Sequence, residues 1–216
     1  MPRRMPRFDH VLSGHAQSAV SIVRAGEIAH ASGGPPIRKE WSVSKLEALN
    51  ELAYLRVFSA WEVCLEAVFY RSLCGYVSAA GQETLVSGSY FPTLAAAESA
   101  VLGGRAYRLW HNPQTIIDRC QAFIRRGPGC PAIQEVTISS HFARLENKAS
   151  IRHRIVHEKT DARQKFDIAT MQIAGRTYRS SRPGRFLRDL DASTSPPLRW
   201  LEVIIGELVS LVGQMT

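Results

Sequence analysis

The 216-residue chain has no apolar run approaching the roughly 18 residues that a membrane-spanning helix needs. The longest candidate, Leu201 to Val212, is interrupted by Glu202, Gly206 and Glu207. The basic opening Met-Pro-Arg-Arg-Met-Pro-Arg has no apolar stretch behind it and does not read as a secretory signal. Cysteine is scarce: Cys64, Cys74, Cys120 and Cys130 contain no C-x-x-C pair, which excludes zinc-ribbon and thioredoxin-like motifs. Cys64 falls in an apolar helical stretch and is expected as a buried thiol. A Cys120–Cys130 disulfide would require an oxidising compartment, of which the sequence gives no other sign. Glycine and proline are too few for a fibrous or low-complexity chain. Also missing are G-x-S-x-G, the P-loop, G-x-G-x-x-G and H-E-x-x-H, so the common hydrolase, nucleotide-binding and metalloprotease signatures do not apply. With 45% hydrophobic residues the chain can bury about half of itself, which excludes wholesale disorder. A soluble, cytoplasmic protein is expected, with residues 1–216 forming a single domain.

What the chain has in excess is positive charge, and it is unevenly placed. The formal net charge is +8, and residues 141–190 alone hold 12 basic and 5 acidic side chains. Nine of those twelve are arginine, whose planar fork matches phosphate oxygens better than a lysine point charge does. A phosphate-bearing partner, most economically a nucleic acid, accounts for the bias. A solvated surface with a chance excess of charge is the alternative.

Hydrophobic periodicity is helical almost throughout and predicts an all-α bundle with two long core helices and shorter ones around them. Asp9 is read as the cap of a first helix running to about His30, before Gly33-Gly34-Pro35-Pro36; residues 1–40 form this N-terminal helix and loop. Ser44-Lys45-Leu46-Glu47 has the form of a capping box opening the core, 44–216. From there to about Tyr76, Leu46, Leu49, Ala53, Val57, Ala60, Trp61, Cys64 and Val68 recur at three- and four-residue steps. Leu65, Phe69 and Leu73 widen the stripe. A short helix is expected over Leu94 to Leu102. Another opens at Asn112-Pro113, carries Ile116, Ile117, Cys120 and Phe123 inward, and ends at Gly127-Pro128-Gly129. The second long helix is expected from about Ala132 towards His157, with Ile133, Val136, Phe142, Leu145, Ala149 and Val156 inside. Asp161 and Gln164 suggest a further capping box, for a helix closed by Gly175. Arg176, Arg179, Arg182, Arg185 and Arg188 recur every third residue around Pro183-Gly184, which argues for an Arg-rich loop or hairpin. Ser195-Pro196 is read as opening the last helix, which carries Trp200, Val203, Ile204, Leu208, Leu211 and Val212.

The candidate chemistry lies in Ser150-Ile151-Arg152-His153-Arg154-Ile155-Val156-His157. Metal binding fits poorly: His153 and His157 share a helix face, but no evident third ligand is near and Arg152 and Arg154 would repel a cation. RNA cleavage through the 2′-hydroxyl needs a base, an acid and positive charge on the phosphorane. Histidine supplies the first two near neutral pH and arginine the third, with no metal and no cofactor. Five residues along a helix is about 140° around its axis, so Arg152 and His157 need a distorted helix end or a second subunit to converge.

These residues resemble the signature of the HEPN superfamily (higher eukaryotes and prokaryotes nucleotide-binding), R-x(4–6)-H near the end of a core helix. Arg152 to His157 is the four-spacer form, with His153 as the polar follower. The stretch Arg56 to Gly75, with Phe58, Trp61-Glu62, Leu65-Glu66, Phe69 and Leu73-Cys74-Gly75, is similar to the early helix of bacterial HEPN proteins. Leu145 through Lys159, the arginine-rich tail and the Trp200-Leu201-Glu202 helix are similar too. Residues 1–40 and 80–130 carry no resemblance. The resemblance implies a helical, metal-independent endoribonuclease that acts as a homodimer with a composite cleft, in some members as a toxin or defence effector with an antitoxin partner. By position, Arg152 would contact the scissile phosphate, His157 would transfer protons and His153 would assist. Arg154, Lys159, Arg179, Arg182 and Arg185 would hold substrate. Glu62 either supports a motif arginine or is simply exposed. Lys159 stands where some toxin members carry tyrosine, so inhibition by tyrosine modification is not expected. A non-catalytic module that binds nucleic acid or protein is the alternative.

Overall fold

Helical periodicity prevails along almost the whole chain. A computed structural model describes residues 3–104, 109–125 and 132–216. The order is α1 (Phe8–Ser32), α2 (Pro35–Glu40), α3 (Val43–Leu73), α4 (Leu94–Leu102), α5 (Pro113–Phe123), α6 (Ile133–Ser140), α7 (Phe142–Val156) and α8 (Thr160–Ala174). A single 3₁₀ turn, Arg179–Ser181, follows, then α9 (Pro183–Arg188), β1 (Leu190–Asp191), β2 (Leu198–Arg199) and α10 (Trp200–Met215). The fold is all-α. The one sheet among the described residues is the antiparallel β1–β2 pair, with Leu190 opposite Arg199 and Asp191 opposite Leu198.

The chain divides into two compact units that alternate along the sequence. The first comprises Met1–Val11, Trp61–Leu145 and Val209–Thr216; the second comprises Leu12–Ala60 and Glu146–Leu208. In the first, Phe69, Tyr70, Trp110 and Phe123 form an aromatic cluster, with the Arg119 guanidinium 4.3 Å over the Trp110 ring. Such stacking lets a buried cation keep an electrostatic partner. In the second, Phe186 is fully buried and lies 5.3–6.1 Å from the rings of Tyr178, Trp200 and Phe166.

The expected stripe on α3 is buried from Leu46 to Leu73 except at Leu49 and Ala60, which are half-buried, and several boundaries move. Asp9 is not a cap: α1 starts one residue earlier, and Asp9 accepts from the Arg7 guanidinium at 2.7 Å. Burial pulls that carboxyl upward, yet the Arg7 hydrogen bond is the larger effect and holds it below the usual range. The Ser44 capping box is also displaced, because α3 already contains Val43 and the Ser42 carbonyl accepts from the Leu46 amide. Glu47 is used elsewhere, as shown below. Asp161 sits in the first turn of α8 and pairs with Lys165 at 3.0 Å instead of capping it. Asn112 behaves as read: its side chain accepts from the Thr115 amide and Pro113 opens α5. That helix stops at Phe123, since Ile124 leaves to bridge with Val86. Gly127-Pro128-Gly129 and Cys130 lie outside the described residues. Cys64, Cys74 and Cys120 are free thiols, and burial pushes Cys120 up to about 12.

The second long helix is broken in two at His141. There Ser140 donates its hydroxyl to the Thr137 carbonyl at 3.1 Å, and the His141 ring nitrogen lies 3.0 Å from the same oxygen. Side chains that compete for helical carbonyls in this way favour a break. The break shifts the helical phase, so Val136 and Val156 face solvent and Gln134, Ile138, Lys148 and Ile151 are buried. Ser195-Pro196 does not open α10 but lies in the β1–β2 connection. The helix begins at Trp200, with the Glu202 carboxylate accepting from the Arg199 amide at 3.1 Å.

Gly184 shows why α9 can lie on α3. A Cβ there would stand 2.4 Å from the Glu47 carbonyl oxygen and 2.7 Å from its Cβ, distances that only glycine tolerates. Gly184→Ala is therefore expected to destabilise the protein by about 1–3 kcal/mol, through forced displacement of α9. An unchanged urea midpoint would show that this approach is not needed.

Candidate nucleic-acid interface

The last turn of α7 carries the sequence motif, all within the second unit. The imidazoles of His153 and His157, one helical turn apart, have centroids 4.5 Å from each other with planes inclined at 53°. The His157 amide still donates to the His153 carbonyl at 2.9 Å, which keeps the two rings on one side. His157 is exposed. Arg152 is half-buried and lies 5.9 Å from the Phe58 ring of α3. Its charge also reaches Tyr54, whose phenol is pushed well above its ordinary value by burial and pulled back by Arg152. The Tyr54 hydroxyl donates to the Lys148 carbonyl at 2.7 Å. The 140° argument is thus realised: the two imidazoles come together, and Arg152 is directed at α3.

Arg154 has a structural task. Its Nε donates to the Ser181 carbonyl and its Nη1 to the His157 carbonyl, both at 3.0 Å. It therefore ties the end of α7 to the 3₁₀ turn. That turn is strained, with Ser180 and Ser181 at φ 62° and 47°. Non-glycine residues hold such angles only where surrounding contacts impose them. Here the contacts are the Arg154 bond and the Ser181 hydroxyl, which donates to Asp167 at 3.0 Å.

The arginines recurring every third residue separate into two sets. Arg182 pairs with the buried Glu47 of α3. Glu51, one turn on, accepts from the Gly184 amide at 2.7 Å and is held above the ordinary value mainly by burial. Arg188 donates to both Glu27 oxygens at 2.6 and 3.0 Å, and Arg199 approaches Glu27 at 3.3 Å. Arg176 pairs with Asp189, which also accepts from Tyr178 at 2.6 Å. Arg179 and Arg185 have no carboxylate partner among the described residues. Both line a groove of 630 Å³, together with Arg176, Arg188, Arg199 and Asp189. The phosphate-holding role expected of Arg182 is therefore taken up by a protein carboxylate, while Arg179 and Arg185 keep theirs open. Lys159 is exposed just before α8.

Glu62 lies in the first unit, buried, with an oxygen 2.9 Å from His111 Nδ1; of the two alternatives for it, exposure does not hold. Sequence reasoning missed Glu27, Glu47 and Glu51 as anchors. Their signal was present: Glu47 and Glu51 are four apart on one helix face, within a chain whose arginines needed partners. It also missed Lys148, whose buried side chain meets Glu207 at 2.5 Å.

Glu27 gives the segment a pH signature. Burial raises its carboxyl, but the Arg188 hydrogen bond and the Arg199 and Arg188 charges together outweigh burial and hold it below its ordinary 4.5. A depressed folded value means that the stabilisation is complete above 4.5 and is lost as pH falls through the folded value. Glu27→Gln is expected to lower the urea midpoint most at pH 7, with the difference from wild type shrinking towards pH 3. A pH-independent difference would remove Glu27 from the acid response.

No family model, curated protein or solved structure matches the chain. Among the described residues, no group of three or more His, Cys, Asp or Glu could hold a metal ion. No described helix is long and apolar enough to cross a membrane.

Proposed function

We propose that this chain is a metal-independent endoribonuclease of the HEPN type, acting as a cytoplasmic homodimer in a toxin or defence role. The observation that carries the reading is the close His153–His157 pair at the end of α7, tied through Arg154 to the turn that bears Arg179. In-line cleavage needs a base at the 2′-hydroxyl and an acid at the departing 5′-oxygen, on opposite sides of the phosphorus. Rings 4.5 Å apart leave no room for a phosphate between them. One chain's pair therefore serves one side, and the pair of a second chain serves the other. The 2′-hydroxyl proton passes to an imidazole, the 2′-oxygen bonds to phosphorus, and the 5′-oxygen leaves with a proton from the opposing imidazolium. The products are a 2′,3′-cyclic phosphate and a 5′-hydroxyl. Arg152 supplies charge to the phosphorane, and Arg179 and Arg185 hold phosphate on the flanking strand.

A second reading, a non-catalytic binding module, draws on the direction of Arg152 towards Phe58 and on the use of Arg154 for backbone carbonyls. Incubation with mixed RNA in EDTA separates the two. Fragments ending in 2′,3′-cyclic phosphate are expected. Absence of cleavage favours the second reading, and cleavage only with added Mg²⁺ overturns the mechanism.

A further inference from the structure

We infer that the arginine groove is a phosphomonoester site, one that selects a terminal, doubly charged phosphate over an internal diester. The five guanidiniums of the groove are held in two ways. Arg176 is fixed by Asp189, and Arg188 and Arg199 converge on Glu27. Arg199 also donates to the Arg188 carbonyl at 2.5 Å. These three are oriented before any ligand arrives, and their charges are largely answered by the two carboxylates. Arg179 and Arg185 line the same groove with no carboxylate partner among the described residues, so five guanidiniums meet two carboxylates and an excess of three positive charges remains.

That excess is better met by a phosphate monoester, which carries about −1.5 to −2 at neutral pH. An internal diester carries one charge and leaves most of the excess unanswered. Planar guanidiniums on different elements, the 3₁₀ turn for Arg179 and α9 for Arg185, can each give two parallel hydrogen bonds to a pair of oxygens, the two pairs sharing one oxygen. A monoester presents three terminal oxygens for this and a diester only two. At 630 Å³ the groove falls within the range of small-ligand sites and exceeds what a single phosphate fills. The phosphate is therefore carried either by the 5′ end of an RNA strand or by a free mononucleotide.

The inference rests on the nucleic-acid reading only for what carries the phosphate, and it does not need cleavage. The test uses the full-length protein and 2′-O-methyl oligonucleotides, which a 2′-hydroxyl mechanism cannot cut. The same sequence is offered with a 5′-phosphate and with a 5′-hydroxyl. At least about tenfold tighter binding of the phosphorylated strand is expected. That preference should vanish in the Arg179→Ala, Arg185→Ala double variant and survive in Arg182→Ala, whose guanidinium pairs with Glu47 outside the groove lining. Adenosine monophosphate is added as competitor. Displacement of the strand at similar concentration assigns the site to free mononucleotide, and failure to displace assigns it to the strand end. Equal affinity for the two strands overturns the inference, as does an undiminished preference in a folded double variant. Failure of the cleavage assay with the preference intact would remove the nuclease reading alone.

Discussion

Replacing His157 with alanine is expected to lower RNA cleavage by about 10²–10⁴-fold while leaving RNA binding within a few-fold. The imidazole moves protons in the transition state, whereas the arginines make the ground-state phosphate contacts. His157 is exposed at the end of α7, so the substitution creates no cavity and the fold should survive it. The loss should be seen in the rate constant under saturating RNA, with gel-shift affinity as the control. Arg152→Ala is expected to reduce both, because it removes charge from the phosphorane along with a phosphate contact. Its packing against Phe58 makes a folding control necessary there, and Arg152→Lys restores the charge without the fork. Equal activity in wild type and His157→Ala would show that the spacing of arginine and histidine arose by chance.

Phe186→Ala is expected to cost about 3–5 kcal/mol, the range for removing a fully buried aromatic ring. Its ring is the meeting point of Phe166 on α8, Tyr178 beside the 3₁₀ turn and Trp200 on α10. Phe186 lies between Arg185 and Leu187 on α9, so the same ring that fills the core holds the groove arginine in place. A shortened urea midpoint should therefore be accompanied by weaker binding of anionic ligands under conditions where the variant is still folded. A loss under 1 kcal/mol would mean that α9 is not anchored through this cluster.

The helices were legible because burial imposes a period, and α3 shows it most plainly: from Leu46 to Leu73 buried side chains recur at three- and four-residue steps and widen to more than half of the residues. Asn112 and Gly175 were legible because capping chemistry is local; Gly175 takes φ 68° as a helix C-cap. What could not be read depended on partners distant in sequence. Nothing near Glu47 reveals that it meets Arg182, or that Gly184 must be bare because the Glu47 carbonyl lies against it. The break at His141 was hidden for a different reason. The apolar spacing on either side suits one helix, and the decision falls to hydroxyl and imidazole groups bonding to the Thr137 carbonyl. Among the candidate residues, His153 and His157 were correctly expected on one face, since four residues is one turn. The division of arginines between carboxylate partners and an open groove was beyond sequence spacing, which treats every third arginine alike.

The alternation of the two units along the sequence has a consequence for synthesis. Every residue of the second unit has been synthesised once Leu208 is added, whereas the first still lacks residues 209–216. Those eight include the buried Leu211, Val212 and Met215, and Thr216, whose carbonyl accepts from the Ala79 amide at 2.6 Å. Contacts that span so much of the sequence form late and slowly. During translation the first unit must therefore wait with the apolar faces of Trp61, Phe69 and Trp110 made but not closed. Such transient exposure is where chaperones bind and where aggregation begins. A chain ending at residue 208 and tethered to the ribosome by an unstructured linker long enough to clear the exit tunnel should show a protease-resistant second unit and a first unit still open to cleavage.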